Sequence, residues 1–131
     1  MKEHPALHLF FSHALTSEQE QDARESLGIG SICPLPPALQ SLWSNIPPEA
    51  QTLDEILKPL LEYLVGVARA GDFVLVSGDF GASVALVSFA KANDLVPIYA
   101  TTKRESLEER QSDGSIVRSS RFVHVRFRRY P

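Results

Sequence analysis

Asp72–Asn93, DFVLVSGDFGASVALVSFAKAN, opens as an unbroken apolar run, breaks at Ser77–Ala82, and resumes with apolar residues at helical spacing. Phe73, Val74, Leu75 and Val76 alternate too little for a half-exposed strand, which predicts a strand covered on both faces, as in a parallel sheet. Beyond the break, Ala82, Val84, Ala85, Leu86, Val87 and Phe89 predict a helix buried on more than one stripe. The loop between them then opens onto a helix N-terminus. In an open α/β sheet ligands bind at such a place, because loops at the carboxyl ends of the strands frame a crevice that unpaired helix N–H groups face.

Around this unit, 131 residues make one domain with enough chain to bury a core without disulfides or metal. The single cysteine, Cys33, excludes an internal disulfide and reads as a small buried hydrophobe. The start, MKEHPALHLFFSHAL, has only a short apolar run interrupted by His8, neither a signal peptide nor a membrane span, and the expectation is a cytoplasmic protein. The formal charge of −3 hides an asymmetry. Residues 1–102 carry five Lys/Arg against twelve acids, a net −7, whereas residues 103–131 carry eight against four, a net +4. A basic last quarter suits an anionic partner, but this count is too small for a long nucleic-acid duplex.

Ala6–Ser12 reads as a first strand with Ser12-His13 at its carboxyl end. Thr16 or Ser17, followed three residues later by Gln19 or Glu20, is a capping-box pattern for a helix that ends near Gly28 or Gly30. Ser31–Pro34 is a short second strand, and strand, helix and strand in such close order imply a right-handed crossover between parallel strands. Pro37 suits the first position of a second helix that Asn45-Ile46-Pro47-Pro48 ends. A third helix is expected from about Thr52 to Ala70, with a kink or break caused by Pro59. After the central unit, Leu95–Tyr99 predicts another strand, placed by Pro97 toward the sheet edge or near the strand's start, and closed by Ala100–Arg104. Asp113-Gly114 marks a hairpin turn flanked by Ser106–Gln111 and Ser115–Arg118. Finally, Phe122, His124, Arg126 and Arg128 alternate with Val123, Val125 and Phe127, predicting a strand with one apolar face. The whole, residues 1–131, is expected to be a single Rossmann-like three-layer α/β sandwich with a mostly parallel sheet and a C-terminal antiparallel hairpin addition.

Three strand ends then converge: Ser12-His13, Ser77–Gly81 and Thr101–Arg104. Hydroxyls, an imidazole, a carboxylate, a helix N-terminus and two cations form a phosphate-ester toolkit rather than a redox one. Gly78 and Gly81 would let backbone approach a ligand, and N–H groups near Ala82 and Ser83 would hold a phosphate oxygen, although glycine here can equally serve the turn. The loop is neither a Walker sequence nor GxGxxG. No metal is expected: His4 and His8 would stand roughly 13 Å apart on a strand, His13 and His124 are scattered, and HExxH is absent. Each candidate has an ordinary alternative. His13 suits a strand end hydrogen-bonded to backbone, Asp79 suits a helix cap, Lys103-Arg104 suits a solvated pair, and Trp43 suits the core better than a base-stacking platform.

The segments FSHALTSEQEQDA (Phe11–Ala23), LQSLWSNIPP (Leu39–Pro48), SGDFGA (Ser77–Ala82), VPIYATTKR (Val96–Arg104) and HVRFRRY (His124–Tyr130) together resemble a small stand-alone family of CRISPR-associated accessory proteins from type III systems, similar in fold to the CRISPR-associated Rossmann-fold ligand-binding domain. The resemblance covers nearly the whole chain. It implies recognition of cyclic oligoadenylate, most of all cyclic tetra-adenylate, and a ring nuclease activity without cofactor that switches off the antiviral signal; the approximate symmetry of a ring of four adenylates suits a two-fold homodimer. The residues expected to carry the reaction are His13 and Asp79 as acid or base and Lys103 and Arg104 as charge stabilisers. Ser12, Asn45, Ser77, Gly78, Phe80, Gly81, Ala82, Thr101 and Thr102 are expected to hold the ligand. Two alternatives stand beside this reading: a non-catalytic binder of the cyclic nucleotide, and a protein-interaction module docking through its basic C-terminal segment.

Overall fold

The computed structural model describes residues 4–131, so the first three residues of the expected domain lie outside the described part. Its strands are β1 (Ala6–Phe10), β2 (Ser31–Pro34), β3 (Phe73–Val76), β4 (Val96–Arg110) and β5 (Ile116–Arg129). The helices are α1 (Ser17–Leu27), α2 (Pro37–Ser44), α3 (Asp54–Val67) and α4 (Phe80–Ala92). One five-stranded sheet runs in the order β2-β1-β3-β4-β5, with β2, β1, β3 and the start of β4 parallel and β5 antiparallel to β4. This is the Rossmann-like sandwich expected from the sequence. Every residue of β3 is buried, as an apolar run without alternation requires in a sheet covered on both faces.

Two cores follow from the two faces of the pleat. Leu7, Leu9, Phe73, Leu75 and Ile98 pack with Ala23 of α1, whereas Phe10, Val74 and Val76 pack with α2, α3 and α4 through Trp43, Leu57, Leu60, Leu64 and Leu86. α1 therefore forms one outer layer and the other three helices form the opposite one. That division follows from handedness: the chain moves one way from β1 to β2 and the other way from β2 to β3 and β4, so right-handed crossovers fall on opposite faces. Local chemistry sets the helix ends. Thr16 and Gln19 close a reciprocal capping box on α1, Gly28 takes the left-handed position at its end (φ 70°), and Pro37 starts α2.

Four local expectations are corrected. Pro59 does not break α3, which runs continuously from Asp54 to Val67. α4 buries one stripe, Ala82, Leu86 and Ala90, and leaves Val84 68% exposed, so it lies on the sheet instead of inside a core. Ala100–Arg104 does not close a strand: β4 continues unbroken to Arg110, paired with β5 from Ile98↔Arg129 to Arg110↔Ile116. A bulge interrupts this ladder, because Thr101 pairs with Arg126 while Thr102 pairs with His124, leaving Val125 unpaired and 51% exposed. His124 is thereby turned onto the face of Phe127, toward α1, and the regular alternation expected for β5 is lost.

Candidate functional site

The direction of chain progression reverses between β1 and β3, and the carboxyl ends of these strands part there into loops that lead to α1 and α4. Such a reversal leaves a crevice at the carboxyl rim, because the two helices depart to opposite faces. Ser12 and His13 follow β1, Ser77 and Gly78 follow β3, and Thr101 and Thr102 belong to neighbouring β4. The first two expected clusters, and only the leading half of the third, Thr101–Arg104, therefore share one rim. Ser77 donates its N–H to the Phe10 carbonyl at 3.0 Å, which ties the first two directly. Ser12 and His13 are exposed, and the His13 ring stands edge-on to Phe11 with centroids 5.5 Å apart.

α2 fixes the floor of this rim. Trp43, 2% exposed, donates Nε1–H to the Ser77 carbonyl at 3.1 Å, and Gln40 Nε2 donates to the Phe11 carbonyl at 2.9 Å. Trp43 is thus a core residue that positions the loop. Gly78 serves the same packing: a Cβ there would stand 2.9 Å from Trp43 Nε1, and one on Gly81 would stand 3.3 Å from Leu53 Cδ1. Both glycines answer to side chains beneath the loop, so ligand approach is not needed to explain them.

The start of α4 differs from what a phosphate site needs. Asp79 is the N-cap; its carboxylate accepts the Ala82 N–H at 3.0 Å and its carbonyl accepts the Ser83 N–H at 2.8 Å. The amides expected to grip a phosphate oxygen are already bonded, and a capping carboxylate stands where an anion would sit. The Ala82 and Ser83 amides are thus both engaged at the helix start, and Asp79 takes the cap position that was its ordinary alternative. Phe80 projects beside them, 92% exposed, as a bare aromatic face. Next to it a cleft of about 510 Å³ is lined by Ser77, Gly78, Phe80, Ser83, Lys91 and Tyr130, and the buried Ser83 hydroxyl has no hydrogen-bond partner.

The remaining candidates separate. Asn45 closes α2, donating Nδ2–H to the Ser41 carbonyl at 2.8 Å. The Thr101 hydroxyl is spent on β5, donating to the Arg126 carbonyl at 2.9 Å and accepting the Arg126 N–H at 3.2 Å. Lys103 lies farther along the continuous strand, about 13 Å beyond the end of β3, and makes a loose ion pair with Glu105 at 3.9 Å. Arg104 follows it and therefore faces the opposite side of the ribbon, so the two cations cannot serve one site on one face. Sequence reading overlooked Tyr130, whose hydroxyl donates to the Val76 carbonyl at 2.7 Å; burial, followed by the neighbouring Tyr99, pushes its pKa up. Arg128 lies over the Tyr99 ring, 5.5 Å from its centroid, and donates to its hydroxyl. These residues form the β3–β5 end of the rim. Among the described residues no group of three or more His, Cys, Asp or Glu side chains is placed to hold a metal, and no helix is long and apolar enough to cross a membrane.

A family model described as the Uncharacterized protein MJ1673 family matches residues 5–128. A curated relative described as uncharacterized protein MJ1673, from Methanocaldococcus jannaschii, is 46% identical over 126 residues, which cover 96% of this chain and 97% of the relative. No solved structure matches the chain.

Proposed function

We propose, from the premise that the chain belongs to the Uncharacterized protein MJ1673 family, that it is a cytoplasmic ring nuclease that binds cyclic tetra-adenylate at the carboxyl rim of its sheet and linearises it. The observation that supports this reading is the reversal of strand order between β1 and β3, which puts the strand ends that lead into Ser12-His13 and Ser77-Gly78 on one carboxyl rim, with the exposed Phe80 opening α4 after the second. An adenine would stack on Phe80, a contact worth about 1–3 kcal/mol per base. A ribose 2′-hydroxyl would attack its own neighbouring phosphorus, forming the 2′–P bond as the P–5′-oxygen bond breaks, to leave a 2′,3′-cyclic phosphate and a 5′-hydroxyl. His13, exposed beyond the end of β1, takes or supplies the proton. Two copies related by a two-fold axis would present two such rims to a ring of four nucleotides. In this reading the protein ends type III CRISPR signalling.

The capped start of α4 favours a second reading, a binder that sequesters the ring without cleaving it, because Asp79 withholds the helix amides from a developing negative charge. Incubation of the purified protein with radiolabelled cyclic tetra-adenylate in EDTA separates the two. Linear product with a 2′,3′-cyclic phosphate, lost by about 100-fold in His13→Ala, is the expected result. Tight retention over many turnover times without linear product would leave the sequestering reading, and absence of binding would remove both.

A further inference from the structure

We infer that the ribbon formed by β4 and β5 docks, through the face it shares with α1, onto helix α1 of a second copy of this chain. The inference concerns only the two-fold pairing within the function proposed above and does not depend on the ligand.

At its base this ribbon face is covered by its own α1. His124 Nε2 pairs with the Asp22 carboxylate at 2.7 Å, and the His124 and Phe127 rings lie 4.8 Å apart within the α1 core. Cross-strand partners share a face, so the same surface continues outward through Arg104/Phe122, Ser106/Ser120, Glu108/Arg118 and Arg110/Ile116. Past His124 no described element covers it: Phe122 is 76% and Ile116 53% exposed. A two-stranded ribbon is marginally stable alone and needs something packed on it. The uncovered length, from Arg104 to Arg110, is about 20 Å.

α1 supplies the matching surface. Its eleven residues are about 16 Å long; Asp22 turns inward to His124 and Glu20 pairs with Arg24 at 3.2 Å, so Glu18 and Glu25 carry its exposed negative charge. The ribbon face carries Arg104, Arg110 and Arg118 against Glu108, which Arg118 already pairs at 3.1 Å. A basic face with two apolar side chains thus meets an acidic helix of similar length. Both surfaces lie on the α1 side of the sheet, so a two-fold axis would repeat the contact in reverse between the same two copies and close the assembly as a dimer.

Sedimentation equilibrium of the full chain, without nucleotide, tests this. Twice the 14.5 kDa chain mass is expected at micromolar concentration, weakening as salt is raised. Arg110→Glu and, separately, the double variant Glu18→Lys/Glu25→Lys should each weaken self-association roughly tenfold or more, and mixing the two variants should restore a mixed dimer. Glu18 and Glu25 are exposed, and Glu25 accepts only a surface hydrogen bond from Gln21, so circular dichroism of that variant, taken well below its unfolding transition, should be unchanged. A monomeric wild type, or a dimer that both charge reversals leave intact, would overturn the inference. A monomer that still cleaves cyclic tetra-adenylate would overturn it while leaving the proposed function standing.

Discussion

Asp72 closes the amino-terminal end of the sheet with one carboxylate. It accepts N–H groups from Ala6 and Arg69, each at 3.0 Å, and pairs with His8 Nε2 at 2.9 Å, with both side chains buried. Burial pushes its pKa up, but the bonds from Arg69, His8 and Ala6 outweigh burial and hold the carboxyl below its usual range. Asp72→Asn replaces an acceptor with an amide that cannot receive all three donors, and should cost about 2–4 kcal/mol in urea unfolding at pH 7. The sign of its pH dependence follows from the depressed folded pKa. The carboxylate's contribution is complete above the unfolded value of about 3.9 and is lost as pH falls through the lower folded value, so the gap between wild type and variant should close below about pH 4. At the other rim, Gly78→Ala would force a methyl against the Trp43 indole. A loss of about 1–3 kcal/mol is expected, with a shift in the emission of the single tryptophan as a direct readout. The importance of Gly78 was legible in the sequence but its reason was not, because the indole that meets it comes from α2, 35 residues earlier in the chain.

Among the elements, α3 and β4 show most plainly how local rules misjudge. Pro59 is exposed and sits beyond the first turn of α3, where its missing N–H leaves the Glu55 carbonyl without its intrahelical donor. The helix persists because Leu57, Leu60 and Leu64 bury one side of it, and each such side chain contributes about 1.5–3 kcal/mol, enough to offset a missing bond. Pro59→Ala should therefore stabilise the protein by about 1–3 kcal/mol, read as a higher urea midpoint with unchanged slope. β4 was misjudged for a related reason. Thr101, Thr102, Lys103 and Arg104 look like a polar loop, yet they stay extended because β5 pairs with them from the far side of the Asp113-Gly114 turn. Polarity reported exposure correctly and said nothing about pairing, which depends on residues later in the chain.

At the scale of the molecule, stability is uneven. β1 and β3 are flanked by strands and covered by helices, while the outer ribbon has exposed side chains along nearly its whole length. Hydrogen exchange should be slow and independent of protein concentration for amides of Leu7–Phe10 and Phe73–Val76, and faster for residues 106–120, slowing there as concentration rises if the ribbon docks on a second copy. A ribbon whose exchange ignores concentration would count against that docking. The α/β class, the parallel sheet, the capping box of α1 and the place of a crevice beside SGDFGA were all determined by the sequence itself, because each rests on periodicity or on chemistry between near neighbours. Tertiary structure alone decided which donors are still free at that crevice, that Asp79 spends its carboxylate on its own helix, that Lys103 and Arg104 face opposite ways, and that a bulge at Val125 turns His124 toward Asp22. The physical reason is that a residue type announces what bonds it is able to make, while the partners competing for those bonds come from distant parts of the chain and are fixed only when the layers pack.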